Sequence, residues 1–224
     1  VADQYATLNG DRVVSATITI PYYGIWAGDV TLAQTDNDIT NPCTVVLGNL
    51  TLNGWAVRTS SFAGAKSARL VGGVGGWRQL VPAQAYQNPG GIKLSMVLND
   101  VAALVGEKIS IPTSQDTIIG LDYVRENAQA QRVLRQLVGS LWWMDLTGVV
   151  QIVPRTSTAI SSEFLVSGYK PNEGRVSIAT EDLASWMPGN TFNAPTIGSG
   201  LTISSARHVA DPKGKLRVEV LTTP

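Results

Sequence analysis

The chain has 224 residues, 44% of them hydrophobic and 15% charged, with 17 basic and 17 acidic residues and no net charge. One cysteine, Cys43, allows no intrachain disulfide, and one histidine, His208, leaves too few ligands for a structural zinc site. No apolar run reaches spanning length, so no membrane insertion is expected.

The length suits one large domain or two small ones. The charge balance is also local: residues 1–105 carry six charges of each sign, 106–160 five, and 161–224 six. No segment has the basic excess that tracks a phosphate backbone, so tight DNA binding is not expected. No basic-then-apolar leader opens the chain, and nothing here signals export. The charged fraction is below the quarter or so usual for a free-standing domain. A surface covered by partners and a Ser/Thr/Asn-rich exterior both account for that.

The first hundred residues read as strands. From Val13 to Pro21 the side chains alternate, with Val14, Ala16, Ile18 and Ile20 on one face. Pro21 ends the strand or places it at an edge. A second strand is expected over 22–32 and a loop over Asp36–Pro42. Further strands follow at 44–47, 49–58, 67–71 and 79–86, the spacing of a barrel or sandwich.

Two helices then interrupt. Over 95–105, Val97, Leu98, Val101, Leu104 and Val105 form one stripe, with Ser95 as the expected cap and Gly106 at the end. Over 127–141, Ala130, Val133, Leu134, Leu137, Val138 and Leu141 form another. A hairpin follows, 141–144 against 149–153, turning at Asp145-Leu146-Thr147-Gly148. Thr156–Ser162 reads as a linker. The tail returns to strands at 175–180, 201–210 and 215–222, with Asp211-Pro212-Lys213-Gly214 as the last turn.

Few residues look chemical. Gly72-Gly73-Val74-Gly75-Gly76 is glycine-rich like a phosphate loop, but no Lys-Ser/Thr follows and no helix pattern opens after it. A tight turn or close backbone approach is the better reading, with 77–79 starting the next strand. His208 has Ser204 and Ser205 nearby, but neighbours on one strand do not converge as a triad requires, and no Gly-x-Ser-x-Gly elbow occurs. Glu181 and Asp182 are adjacent and not facing, which suits capping of a turn better than glycoside hydrolysis. Cys43 reads as a small buried side chain. The six tryptophans, at 26, 55, 77, 142, 143 and 186, suit core and interface packing. Sugar binding by an aromatic stripe is the rival. No catalytic, cofactor-binding or metal-binding residue is therefore assigned, and no cofactor is expected.

Several stretches together resemble a known family. They are Ala16 to Asp29 with Pro21-Tyr22-Tyr23-Gly24-Ile25-Trp26, then Ala68-Arg69-Leu70-Val71-Gly72-Gly73 through Trp77 to Tyr86. Next come Arg132-Val133-Leu134-Arg135-Gln136-Leu137 leading into Leu141-Trp142-Trp143, and Ala206-Arg207-His208 ahead of Lys215-Leu216-Arg217-Val218-Glu219-Val220. The pattern is similar to the baseplate hub proteins of contractile-tailed bacteriophages, including late-control tail proteins and the hub part of type VI secretion spike proteins.

That resemblance implies an α+β, mainly β fold with two tube-type antiparallel β-barrel regions, residues 1–94 and 161–224, around a small α+β insert, 95–160. It implies a homotrimer forming a pseudo-sixfold ring in the virion tail baseplate, assembled in the host cytoplasm. The tail tube or tube-initiator protein would sit above and the central spike protein, a separate chain, below. Baseplate wedge proteins and the tape measure protein are further partners it suggests. DNA would pass through without specific binding. The alternatives are a carbohydrate-binding or cell-wall-degrading tail module, and a distal tail adaptor of a non-contractile phage.

Overall fold

The computed structural model describes residues 6–33, 35–213 and 215–223. Six strands come first: β1 (Ala6–Leu8), β2 (Asp11–Pro21), β3 (Ala27–Leu32), β4 (Cys43–Leu47), β5 (Leu50–Phe62) and β6 (Ala65–Gly72). They pair in the order β1-β4-β5-β6-β3-β2, and β2 pairs back to β1. The result is a closed six-stranded antiparallel barrel, in which closure removes the exposed edges. The alternation of β2 points Ala16, Ile18 and Ile20 inward, where they meet Val30, Val45, Leu52 and Leu70. Trp26 fills one end of the core. It fits because Gly54 and Gly72 have no side chains: a Cβ on either would lie 2.6 Å from the indole.

β7 (Leu80–Val81) and β8 (Gln84–Lys93) lead on to α1 (Leu94–Leu104), β9 (Lys108–Ser110), β10 (Ile118–Arg125), β11 (Ala128–Gln129), α2 (Ala130–Val138), β12 (Trp143–Met144) and β13 (Val149–Gln151), the elements of the insert. Helix α1 buries Val97, Leu98 and Val101, and α2 buries Ala130, Val133 and Leu134. Two expectations change here. Ser95 does not cap α1; instead Asp116 accepts its backbone N–H at 2.8 Å from across the insert. Helix α2 is also shorter than its stripe, because Gly139 turns the chain at φ 61°.

The last strands are β14 (Leu165–Lys170), β15 (Arg175–Ala179), β16 (Thr191–Ala194), β17 (Gly198–Ala210) and β18 (Leu216–Thr223). Here the expected second barrel is corrected. Among the described residues one barrel closes, and these strands extend its sheet. β17 pairs with Ala16–Pro21 of β2 on one side and with β18 on the other, then β15 and β14 continue outward. The physical reason lies in β2. Its start pairs with β1, so the remainder of that edge is free to take β17.

Gly72–Gly76 is also corrected in its sequel. Residues 76–78 form a single 3₁₀ turn, and the extended run from 79 breaks at Pro82 before β8 begins. β14 and β16 were not legible as strands. Asp211 holds the final turn by accepting the N–H groups of Lys213 and Lys215, both at 2.9 Å. Gly214 lies outside the described residues.

Candidate functional site

The part of the molecule most open to a partner is the sheet itself. Leu50–Gly54 of β5 pairs with β4 and Gly54–Phe62 with β6, so beyond Gly54 the strand has only β6 beside it among the described residues. That outer half carries Val57 and Phe62, 41% and 84% exposed. At the far side of the sheet, β14 pairs among the described residues with β15 alone and carries Leu165 and Tyr169, 68% and 42% exposed. Between these edges the order is β5-β6-β3-β2-β17-β18-β15-β14, with each neighbouring pair antiparallel. In eight alternating strands the first and last run in opposite directions. A second copy set beside the first therefore brings β14 against β5 in the antiparallel sense, continuing the ladder. Free edges of this kind present unpaired N–H and C=O groups.

The two faces of this sheet differ sharply. One face is apolar. Register places Leu70, Gly28, Ile18, His208, Val218 and Ile178 in one row across six strands, and all are buried. His208 is wholly buried there, and neither ring nitrogen has a protein hydrogen-bond partner. Burial lowers its pKa from 6.5 to about 4, so the ring is neutral at pH 7. The opposite face is polar and holds a concavity of about 540 Å³ lined by Thr17, Thr19, Asp29, Arg69 and Arg207 among others.

Charges balanced along the chain are sorted on that polar face. Arg58, Arg69, Arg207, Arg217, Arg175 and Lys170 share it with Asp29 and Glu219. Arg69 pairs with Asp29, while Arg207 and Arg217 both reach Glu219. At the β14–β15 turn, Lys170 and Arg175 share Glu173.

Side-chain networks fix the insert to the barrel. The glycine loop does hold an anion, but the anion is the protein's own. The N–H of Gly76 donates to Glu107 Oε1 at 2.6 Å and that of Val74 at 3.2 Å. Gly73 (φ 74°) is required, since a Cβ there would strike the Glu107 carboxylate. Burial pushes the Glu107 carboxyl up, and the loop N–H groups pull it back. Separately, Arg125 is fully buried and donates to Asp100 at 2.7 Å, to the Tyr86 hydroxyl at 2.8 Å and to the Pro82 carbonyl at 3.1 Å. Burial and the Asp100 hydrogen bond raise the Tyr86 pKa. The hairpin turn forms as expected: Asp145 Oδ1 accepts the N–H groups of Thr147 and Val149, both at 2.9 Å. Its tip docks on the barrel through Asn53 N–H to the Leu146 carbonyl at 2.8 Å.

The remaining candidates do not converge. Asp182 accepts Asn49 Nδ2 at 2.8 Å and the Ser185 N–H at 3.3 Å, which is a cap; the Ser185 side chain first, and then Asn49, lower its pKa. Cys43 is buried, its pKa raised by desolvation. Ser204 and Ser205 donate to the carbonyls of Leu221 and Ile20. Trp26, Trp77, Trp142 and Trp186 are buried, Trp55 and Trp143 half-buried. Trp143 stacks under Arg155, whose guanidinium carbon lies 4.1 Å from the ring centre. Arg155 also donates to the Tyr22 and Pro21 carbonyls, and burial lowers its pKa to about 10. No tryptophan stripe is exposed.

No protein-family model and no curated protein sequence matches the chain. Solved structures do. The E. coli c3393 protein is a component of the type VI secretion system with structural similarity to the T4 bacteriophage tail proteins gp27 and gp5. It superposes with a TM-score of 0.65 at 10% identity, over 98% of this chain and 76% of its own. The 43 kDa tail protein of prophage MuSo2 from Shewanella oneidensis gives 0.69 at 11% identity, over 97% and 96%. The chain has a phage tail-protein fold. A tail protein from Neisseria meningitidis agrees, with a TM-score of 0.64 at 11% identity over 97% and 94%.

Within that fold, the sequence reading missed the two edges. The run Phe164-Leu165-Val166 before Pro171 and Gly174 was the available signal for β14. The sorted charges left no signal, because their residues come from five separate segments.

Proposed function

We propose that this chain is the structural hub of a phage tail baseplate, joining copies of itself edge to edge into a ring between tail tube and spike. One observation supports this above the others: a single antiparallel sheet with two free, oppositely running edges. Pairing of β14 with the outer half of β5 in the next copy is heterologous, and such contacts make rings when the rotation closes. Three copies form the ring, which matches a threefold spike below and meets the tail tube above. The faces opposite the barrels line the conduit through which DNA leaves. The division into residues 1–94, 95–160 and 161–224 belongs to the same proposal. So does the structural rather than catalytic role, supported by the fold and by candidate residues that serve packing and capping. The glycan-binding alternative has lost its exposed tryptophans.

Light scattering tests this. The protein alone is expected at three chain masses, and with its tube and spike proteins at three copies of the chain per particle. Phe62→Lys with Leu165→Lys, both at exposed edge positions, should return it to monomer with an unchanged far-ultraviolet spectrum. A wild type that stays monomeric with both partners present would contradict the proposal.

A further inference from the structure

Edge pairing does not account for the charges on the polar face of the sheet. Six cations stand on its strands against Asp29 and Glu219, with Glu173 at the β14–β15 turn, an excess of three there; Glu163, Glu181 and Lys215 line the other end of β14, β15 and β18. The carboxylates are also the more covered partners where it matters most: the Glu219 side chain is 17% exposed beneath two arginines that are about half exposed. Arg58 lies directly across from Arg69, so like charges face each other over the β5–β6 pair, with Asp29 on the far side of Arg69. Such a pairing opposes stability. Thr17 and Thr19 lie in the concavity between the arginines and add hydroxyl groups. Arginine forks and hydroxyls are what phosphate oxygens accept from.

From this charge pattern we infer that the polar face of β5-β6-β3-β2-β17-β18-β15-β14 takes the phosphate backbone of duplex DNA, without reading its sequence. A row of arginines spaced across five strands suits a continuous phosphate backbone, and the aromatic residues of this face, Trp55 and Phe62, stand on the edge strand β5. The contact is weak and salt-sensitive, because only the excess charge is free to displace counterions. A moving duplex is then held near the axis and not trapped. The inference deepens the hub proposal, and its conduit setting rests on that proposal. The face itself belongs to the single chain.

The test uses fluorescence anisotropy of a short labelled DNA duplex with the full chain, with particle mass measured in parallel. Three excess charges give a log–log salt slope near −3, at about 0.9 per phosphate, so affinity falls about 40-fold between 50 and 200 mM salt. The variant Arg58→Gln, Arg217→Gln, Lys170→Gln leaves Arg207 on Glu219 and Arg175 on Glu173. It should lose the slope and most of the binding at 50 mM salt, with an unchanged melting temperature. Wild type that leaves the duplex free at 50 mM salt, or a folded variant that binds like wild type, overturns the inference. Polyglutamate bound as tightly as the duplex at equal charge overturns DNA as the partner. A monomer that binds with this slope upholds the face and removes the ring. A ring that ignores DNA does the reverse.

Discussion

Glu107 and His208 show opposite ways of burying a polar group. Glu107 is a carboxylate met by the loop N–H groups of Val74 and Gly76, so its burial is compensated. Glu107→Ala leaves those donors unpaired inside the protein and should cost about 2–4 kcal/mol in chemical denaturation. His208 is compensated only by staying neutral. Its folded pKa is about 4, below the unfolded 6.5. The unfolded chain therefore binds the proton more readily, and the contribution is fully present above pH 6.5. It is lost as pH falls from 6.5 toward 4, by about 3 kcal/mol at about 1.4 kcal/mol per pH unit. His208→Leu should flatten the denaturation midpoint across that window. An unchanged pH slope would show that the ring is protonated or solvated in the fold. Both residues were partly legible. The glycine run announced a close backbone approach, but nothing in the sequence said that Glu107, 31 residues beyond Gly76, would fill it.

Elements show where local pattern suffices and where it does not. The β2 alternation and both helix stripes were visible because their burial follows a single period. The Asp145–Gly148 turn was visible because turn chemistry is local. β10 and β14 were not, since each is a ribbon or edge strand with one face exposed and a break in its register. A ribbon like β8–β10 is marginal by itself and needs packing. Arg125 supplies part of that, binding Asp100 of α1, Tyr86 of β8 and the Pro82 carbonyl. Asp100→Ala leaves a buried guanidinium short of its counterion and should cost about 3 kcal/mol. Native-state hydrogen exchange should show β8 and β10 opening earlier than the barrel. Equal protection of ribbon and barrel in the variant would refute that coupling.

At the scale of the whole molecule, the two expected barrels became one barrel and a sheet extension. Composition and spacing report strands, but not which edges remain free to close. That information is in long-range pairings, such as β2 with β17 across nearly the whole chain. The same pairings place two free edges at opposite ends of one eight-stranded sheet, and the assembly account depends on those edges. Amide hydrogen exchange on the assembled particle tests it most directly. The account predicts strong protection over residues 57–62 and 165–170, lost together in the Phe62→Lys, Leu165→Lys variant. An assembled particle in which both segments exchange as fast as loops would contradict it.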